Sequence, residues 1–179
     1  YLGWQLLPGF IAKKELGSHP IIGPILALHN CLLVDRDSKT ERKDASELII
    51  KRQKMFFEKE SQSPLLIYPE GTTSNGRFLL KFKRGAFMAL LPVKPLFAYV
   101  DEKKFGISDA PMNVFDHFFF FFGFLWNVIY FYELPVIECN SFMLANHKLE
   151  GENDVDAYTR ICNQIYLDIF DLKYSEKGY

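Results

Sequence analysis

Two short apolar runs, Cys31–Val34 and Leu65–Tyr68, each stop at a polar turn, and a long amphipathic segment lies between them. A short apolar run bounded by turn residues reads as a buried strand. The first run ends at Asp35-Arg36-Asp37 and the second at Pro69-Glu70-Gly71-Thr72. Between them, Ser38-Lys39-Thr40-Glu41 matches a capping box, in which side chains satisfy the free N–H groups of a helix start. Ala45, Leu48, Ile49, Met55 and Phe56 follow at roughly helical spacing, opposite Arg42, Lys43, Lys51, Arg52, Lys54 and Lys59. This predicts an amphipathic surface helix ending near Ser61. Buried strands alternating with helices argue an α/β fold with a largely parallel sheet.

The remaining segments fit the same scheme. Phe10–Ala12 reads as a strand ending at the pair Lys13, Lys14. Pro20 opens a helical stretch carrying Ile21, Ile22, Ile25, Leu26 and Leu28. Phe82–Leu91 is mixed apolar and basic, with a helix start expected near Gly85. Val93–Val100 reads as a strand containing a proline, Asp101–Pro111 as a loop and Val128–Glu133 as a late strand. Val155, Tyr158, Ile161, Cys162, Ile165 and Ile169 mark a final helix at 3.6-residue spacing. No internal repeat or linker interrupts the chain. The expected architecture is one α/β domain over residues 1–179, its largely parallel sheet flanked by helices.

Composition narrows the function classes. A chain of 179 residues, 49% hydrophobic and 24% charged, has the balance of a globular domain rather than a disordered tail. No run approaches the ~20 apolar residues of a spanning helix. With 21 basic and 22 acidic residues there is no basic excess, which argues against nucleic acid as a partner. The three cysteines, Cys31, Cys139 and Cys162, show neither metal-ligand spacing nor a disulfide framework, which points to a reducing compartment and no metal.

In an open α/β sheet, ligands collect beyond the carboxyl ends of the strands. Two strands here deliver Arg36 on one turn and Glu70, Gly71 and Thr72 on another. An arginine beside a glycine turn with free N–H groups and a hydroxyl is equipped to hold a phosphate. Lys81, Lys83 and Arg84 follow and can add positive charge. Taken singly, each of these reads as a solvated loop residue. Their order and spacing carry more. Cys31-Leu32-Leu33-Val34-Asp35-Arg36 resembles the second motif of the glycerophospholipid acyltransferases, and Tyr68-Pro69-Glu70-Gly71-Thr72 the third. Leu91-Pro92-Val93-Lys94-Pro95-Leu96 resembles the fourth, and Phe82-Lys83-Arg84-Gly85-Ala86-Phe87 the link before it. Leu134-Pro135-Val136 and the final helix look like the region downstream in the lysophosphatidylcholine and lysophosphatidylethanolamine branch.

The resemblance implies transfer of a fatty acyl group from acyl-CoA, as co-substrate, to the free hydroxyl of a lysophospholipid, with no bound cofactor. By motif position Arg36 would grip the acceptor phosphate, and Glu70, Gly71 and Thr72 would shape its pocket. Lysophosphatidic acid acyltransferases usually carry Arg where Thr73 stands. Glu70-Gly71-Thr72-Thr73 is similar to the other branch, and one charge fewer suits a phosphodiester.

The family's catalytic pair is a His and an Asp with four residues between them, a general base and the carboxylate that orients it. None of the four histidines matches. His19, His29, His117 and His147 are followed, five residues on, by Pro24, Val34, Phe122 and Glu152. His19 reads as a turn residue, His29 as a helix end, His117 as a neighbour of the phenylalanine run and His147 as part of a polar loop. Alignment by motif places the pair just upstream of Tyr1. The expectation is a truncated acyltransferase domain lacking its N-terminal catalytic segment and inactive by itself. The alternative is a non-catalytic lipid- or acyl-CoA-binding protein. The aromatic run Phe118–Trp126 has two readings, a buried core helix or a shallow contact with a membrane surface. The resemblance suggests the endoplasmic reticulum, facing the cytosol.

Overall fold

The computed structural model describes residues 8–35, 39–60, 63–71, 78–100 and 129–175. The first sheet is built around β1 (Gly9–Lys13), which lies between β2 (Leu32–Val34) and β3 (Leu65–Leu66) and pairs in parallel with both. Ile11 is in register with Leu32, and Gly9 with Leu65. Gly9 permits a close approach at the start of the sheet. A Cβ there would lie 2.7 Å from the Asn30 carbonyl oxygen and 3.1 Å from that of His29, both fixed backbone atoms.

A 3₁₀ turn, Lys14–Ser18, and helix α1 (Ile22–Leu28) connect β1 to β2. The His19 ring Nδ1 accepts from the backbone N–H groups of Ile21 and Ile22, each at 3.3 Å. His29 terminates α1, as its sequence position suggests. Helix α2 (Lys39–Phe57) crosses from β2 to β3. It stops four residues before Ser61, because Lys59 adopts a left-handed conformation (φ 62) that allows Glu60 N–H to reach back to the Met55 carbonyl. Ser38 of the expected capping box lies outside the described residues. Of the expected apolar face, Ala45 and Ile49 are buried, whereas Leu48 and Phe56 are exposed.

Two more pairs complete the strand set among the described residues. β4 (Phe78–Leu80) pairs in parallel with the last strand, β7 (Lys173–Ser175). β5 (Leu96–Val100) pairs antiparallel with β6 (Ile129–Glu133). Parallel pairing therefore dominates, as expected of this α/β fold. The expected helix near Gly85 is instead a single 3₁₀ turn, Arg84–Ala86. Lys83 offers it no side-chain cap, glycine lowers helix propensity, and Pro92 follows closely. His147 does not lie in a loop. It is the last residue of helix α3 (Ser141–His147), which Asn140 starts by accepting from Met143 N–H at 2.8 Å.

Helix α4 (Asp154–Phe170) carries the largest core cluster. Tyr158, Cys162 and Tyr166 recur every four residues and pack on Leu79, Phe82 and Phe87. Phe82 meets Tyr166 edge-on at 5.3 Å between centroids, and Phe87 meets Tyr158 edge-on at 5.4 Å. The Tyr158 hydroxyl shares its proton between the carbonyls of Ile137 (2.8 Å) and Leu91 (3.1 Å). The Tyr166 hydroxyl donates to Leu96 at 3.0 Å. Burial pushes the Tyr166 phenol up to about 12 and the Cys162 thiol up to about 12, so both stay neutral in the core.

Candidate acceptor site

The parallel alignment of β1, β2 and β3 sends their carboxyl ends to one edge of the sheet. Lys13 ends β1, Asp35 follows β2, and the turn Tyr68–Gly71 follows β3. Arg36, one residue beyond Asp35, lies outside the described residues, as does Thr72, one residue beyond Gly71. The structure thus brings the two motif turns to the same edge, with β1 between them. A cleft of about 160 Å³ opens there, its charged lining residues being Lys13, Lys14, Glu15 and Asp35 beside Ile11, Ala12 and Val34. Pockets that enclose a drug-sized ligand run to roughly 300–1,000 Å³. This cleft is too small to enclose a whole lipid.

Glu70 and Gly71 form a tight turn tied down from three directions. Gly71 N–H donates to the Tyr68 carbonyl at 3.1 Å, and Lys83 N–H donates to Pro69 at 2.6 Å. Leu80 N–H donates to Glu70 Oε2 at 3.0 Å. Gly71 has φ 71, the left-handed region, where an L side chain costs roughly 1–2 kcal/mol. A Cβ there would also come within 3.1 Å of Lys83 Cγ. Burial raises the pKa of the Glu70 carboxyl above the ordinary carboxylate range, and the bond from Leu80 opposes this only in part.

The basic residues after β4 separate into two groups. Lys81 and Lys83 are exposed, and Lys83 packs along Gly71. Arg84 turns away toward α4. Its Nε lies 2.9 Å from Asp156 Oδ1, and its Nη2 donates to Asn153 Oδ1 at 3.5 Å. Gln53 of α2 donates to the Ala86 carbonyl at 2.9 Å, so the 3₁₀ turn is held from two helices. Lys13 and Lys14 line the cleft, although the sequence marks them only as the end of a strand. The parallel register that puts Lys13 opposite Val34 is what brings them beside Asp35. His147 and Glu152 do not pair as base and carboxylate. The Glu152 carboxylate takes Arg160 at 3.0 and 2.9 Å, and the same guanidinium donates to the His147 carbonyl at 2.6 Å.

A sequence profile of the acyltransferases matches residues 3–114, more than half of the chain and both motif turns. The chain belongs to the acyltransferase family. This acyltransferase is similar to the lysophospholipid acyltransferase LPEAT1 of Arabidopsis thaliana, at 32% identity over 130 residues, which are 72% of this chain and 33% of that protein. It is also similar to the lysophospholipid acyltransferase LPCAT4 of Xenopus tropicalis, at 38% identity over 90 residues, or 50% of this chain and 17% of that one. The acyltransferase chain therefore spans a third or less of the length of these relatives. Among solved structures, the 1-acyl-sn-glycerophosphate (LPA) acyltransferase PlsC from Thermotoga maritima is similar at 16% identity, with a TM-score of 0.48 over 95% of this chain and 59% of that chain.

Proposed function

We propose that this chain forms the acceptor-binding part of a lysophospholipid acyltransferase. In that reaction the acceptor hydroxyl oxygen attacks the thioester carbonyl of acyl-CoA. A C–O bond forms, the C–S bond breaks, the hydroxyl proton passes to a base, and the CoA thiol leaves. The observation that carries the reading is the shared edge: the turn after β2, which leads into Arg36, and the turn of Glu70 and Gly71 leave the sheet at the same carboxyl edge, where a small cleft opens between the ends of β1 and β2. The names of the similar proteins support the same acceptor class.

Arg36 grips the acceptor phosphate, with Lys13 and Lys14 adding charge beside it. Glu70, Gly71 and Thr72 shape the pocket, Lys83 packs along Gly71, and Lys81 adds positive charge two residues before it in the chain. Arg84 binds substrate only by leaving Asp156. Thr73 favours lysophosphatidylcholine or lysophosphatidylethanolamine over lysophosphatidic acid. No His-x4-Asp pair occurs in these 179 residues, so the chain alone binds acceptor without turning it over. Acyl-CoA is the co-substrate, and no bound cofactor takes part. Exposed apolar side chains on α1 and β6 support a contact with a membrane surface.

The test is binding of monomeric lysophosphatidylcholine and of lysophosphatidic acid to the 179-residue chain, with CoA thiol release followed in parallel. The expected result is binding of the first in preference to the second, weakened at least tenfold by Arg36→Ala, without thiol release. A preference for lysophosphatidic acid overturns the branch assignment. Binding indifferent to Arg36 overturns the site, and thiol release above background overturns the missing base.

A further inference from the structure

Helix α4 turns a mostly apolar face to the core, yet that face contains two buried polar residues, Thr159 and Asn163. Thr159 satisfies itself within the helix, donating to the Val155 carbonyl at 2.6 Å. Asn163 does not. Its side-chain amide reaches out of the helix and donates to the Leu80 carbonyl at 3.3 Å. Burying an amide costs stability unless it is bonded, and asparagine is a poorer helix former than leucine. Packing alone would favour an apolar residue at this position, one helical turn from Tyr166 and directly after Cys162.

Leu80 is the residue whose N–H holds the Glu70 carboxylate. It is buried at the end of β4, opposite Ser175 of β7 in the ladder. Its carbonyl and its N–H are therefore gripped by two side chains 93 residues apart in sequence, Asn163 and Glu70. We propose that Asn163 is a positioning residue: its amide fixes the Leu80 backbone so that the Leu80 N–H meets the Glu70 carboxylate of the acceptor turn. Asn163 lies in none of the acyltransferase motifs, and the family profile ends well before it. The positioning itself stands on these two bonds. Only its consequence for the acceptor rests on the reading of Glu70 given above.

The test follows the Leu80 amide resonance of the isotope-labelled 179-residue chain through an acid titration. In the native chain this N–H reports ionisation of the carboxylate it donates to. In Asn163→Leu the pH-dependent shift of Leu80 is expected to shrink and its midpoint to move upward, because a carboxylate that loses a donor holds its proton more tightly. Lys83, the charged side chain packed along Gly71, and the exposed Lys81 next to Leu80 in sequence are unchanged. Asn163→Gln, which keeps an amide, restores part of the shift. A Leu80 titration identical in Asn163→Leu and the native chain overturns the proposal, whatever happens to melting temperature.

Should Asn163→Leu fail to fold, Glu70→Ala gives the reciprocal measurement. The side-chain amide protons of Asn163 are expected to move, and no movement overturns the coupling. Lysophosphatidylcholine affinity then separates the two ideas. If Asn163→Leu and Glu70→Ala weaken it by the same factor and the double variant no further, both stand. If the native chain binds no lysolipid while Leu80 still responds to Asn163, the acceptor reading falls and the positioning remains.

Discussion

Glu70 is a carboxylate half removed from water with one backbone donor, and these two facts pull its proton affinity in opposite directions. Burial is the larger effect, so the folded state holds the proton more tightly than the unfolded chain does. Between the unfolded and folded pKa values the native state binds more protons, and stability falls as pH rises through that window. Below the window the carboxyl is protonated in both states and the penalty is absent. Glu70→Gln keeps an acceptor for Leu80 N–H and removes the charge. Its stability relative to the native chain is therefore expected to rise between the acid range and neutral pH, measured as the difference in urea midpoints. A difference that does not change with pH would show that the carboxylate carries no burial penalty. The motif made Glu70 visible in sequence, but its partner was not. Phe78–Leu80 is three residues long, and nothing in its pattern says which N–H faces the carboxylate.

At the scale of elements, α4 does most of the stapling. Tyr158 and Tyr166 each bury a ring and pass a hydroxyl proton to a carbonyl on a separate segment. Tyr166→Phe leaves the Leu96 carbonyl without that donor and is expected to cost about 1–3 kcal/mol. Arg84→Ala breaks an exposed ion pair, which is expected to be worth under ~1 kcal/mol. Urea unfolding of the two variants checks the order, and a larger loss for Arg84 would mean the ion pair, not the aromatic face, secures this region. Three helices end alike, with Asn30, Lys59 and Asp171 at positive φ and a hydrogen bond reaching back five residues from the next N–H. Spacing located α4, but not which of its residues the core takes. Ile169, on the expected face, is 53% exposed, whereas Tyr166 is buried. What lies opposite the helix decides that, and the periodicity holds no record of it.

Over the whole molecule, the exposed apolar residues among those described include two groups that are close together in sequence. Ile21, Ile25 and Leu28 of the α1 segment are 70%, 52% and 72% exposed, and Tyr130, Phe131 and Tyr132 of β6 are each about half exposed. Among the described residues no helix is long and apolar enough to cross a membrane. The aromatic run Phe118–Trp126 lies outside the described residues, between β5 and β6 in the chain. The expected behaviour is flotation with phosphatidylcholine vesicles, little increased by anionic lipid because the net charge is −1. Ile25→Ser with Leu28→Ser is expected to reduce it several-fold. Flotation indifferent to these changes would remove α1 from the contact.

The sequence by itself determined the strand–helix–strand order, the polar turns that close β2 and β3, and the family, because these depend on local pattern and motif spacing. Tertiary structure alone decided that Lys13 and Lys14 stand beside Asp35 and that Arg84 faces Asp156. It also decided that β7, whose residues Lys173–Ser175 show no apolar alternation, pairs with β4. Nor could spacing reveal that one asparagine on the last helix reaches the strand holding Glu70. A register or a contact between residues far apart in sequence is set by which surfaces bury each other, and no local window of residues contains both sides of it.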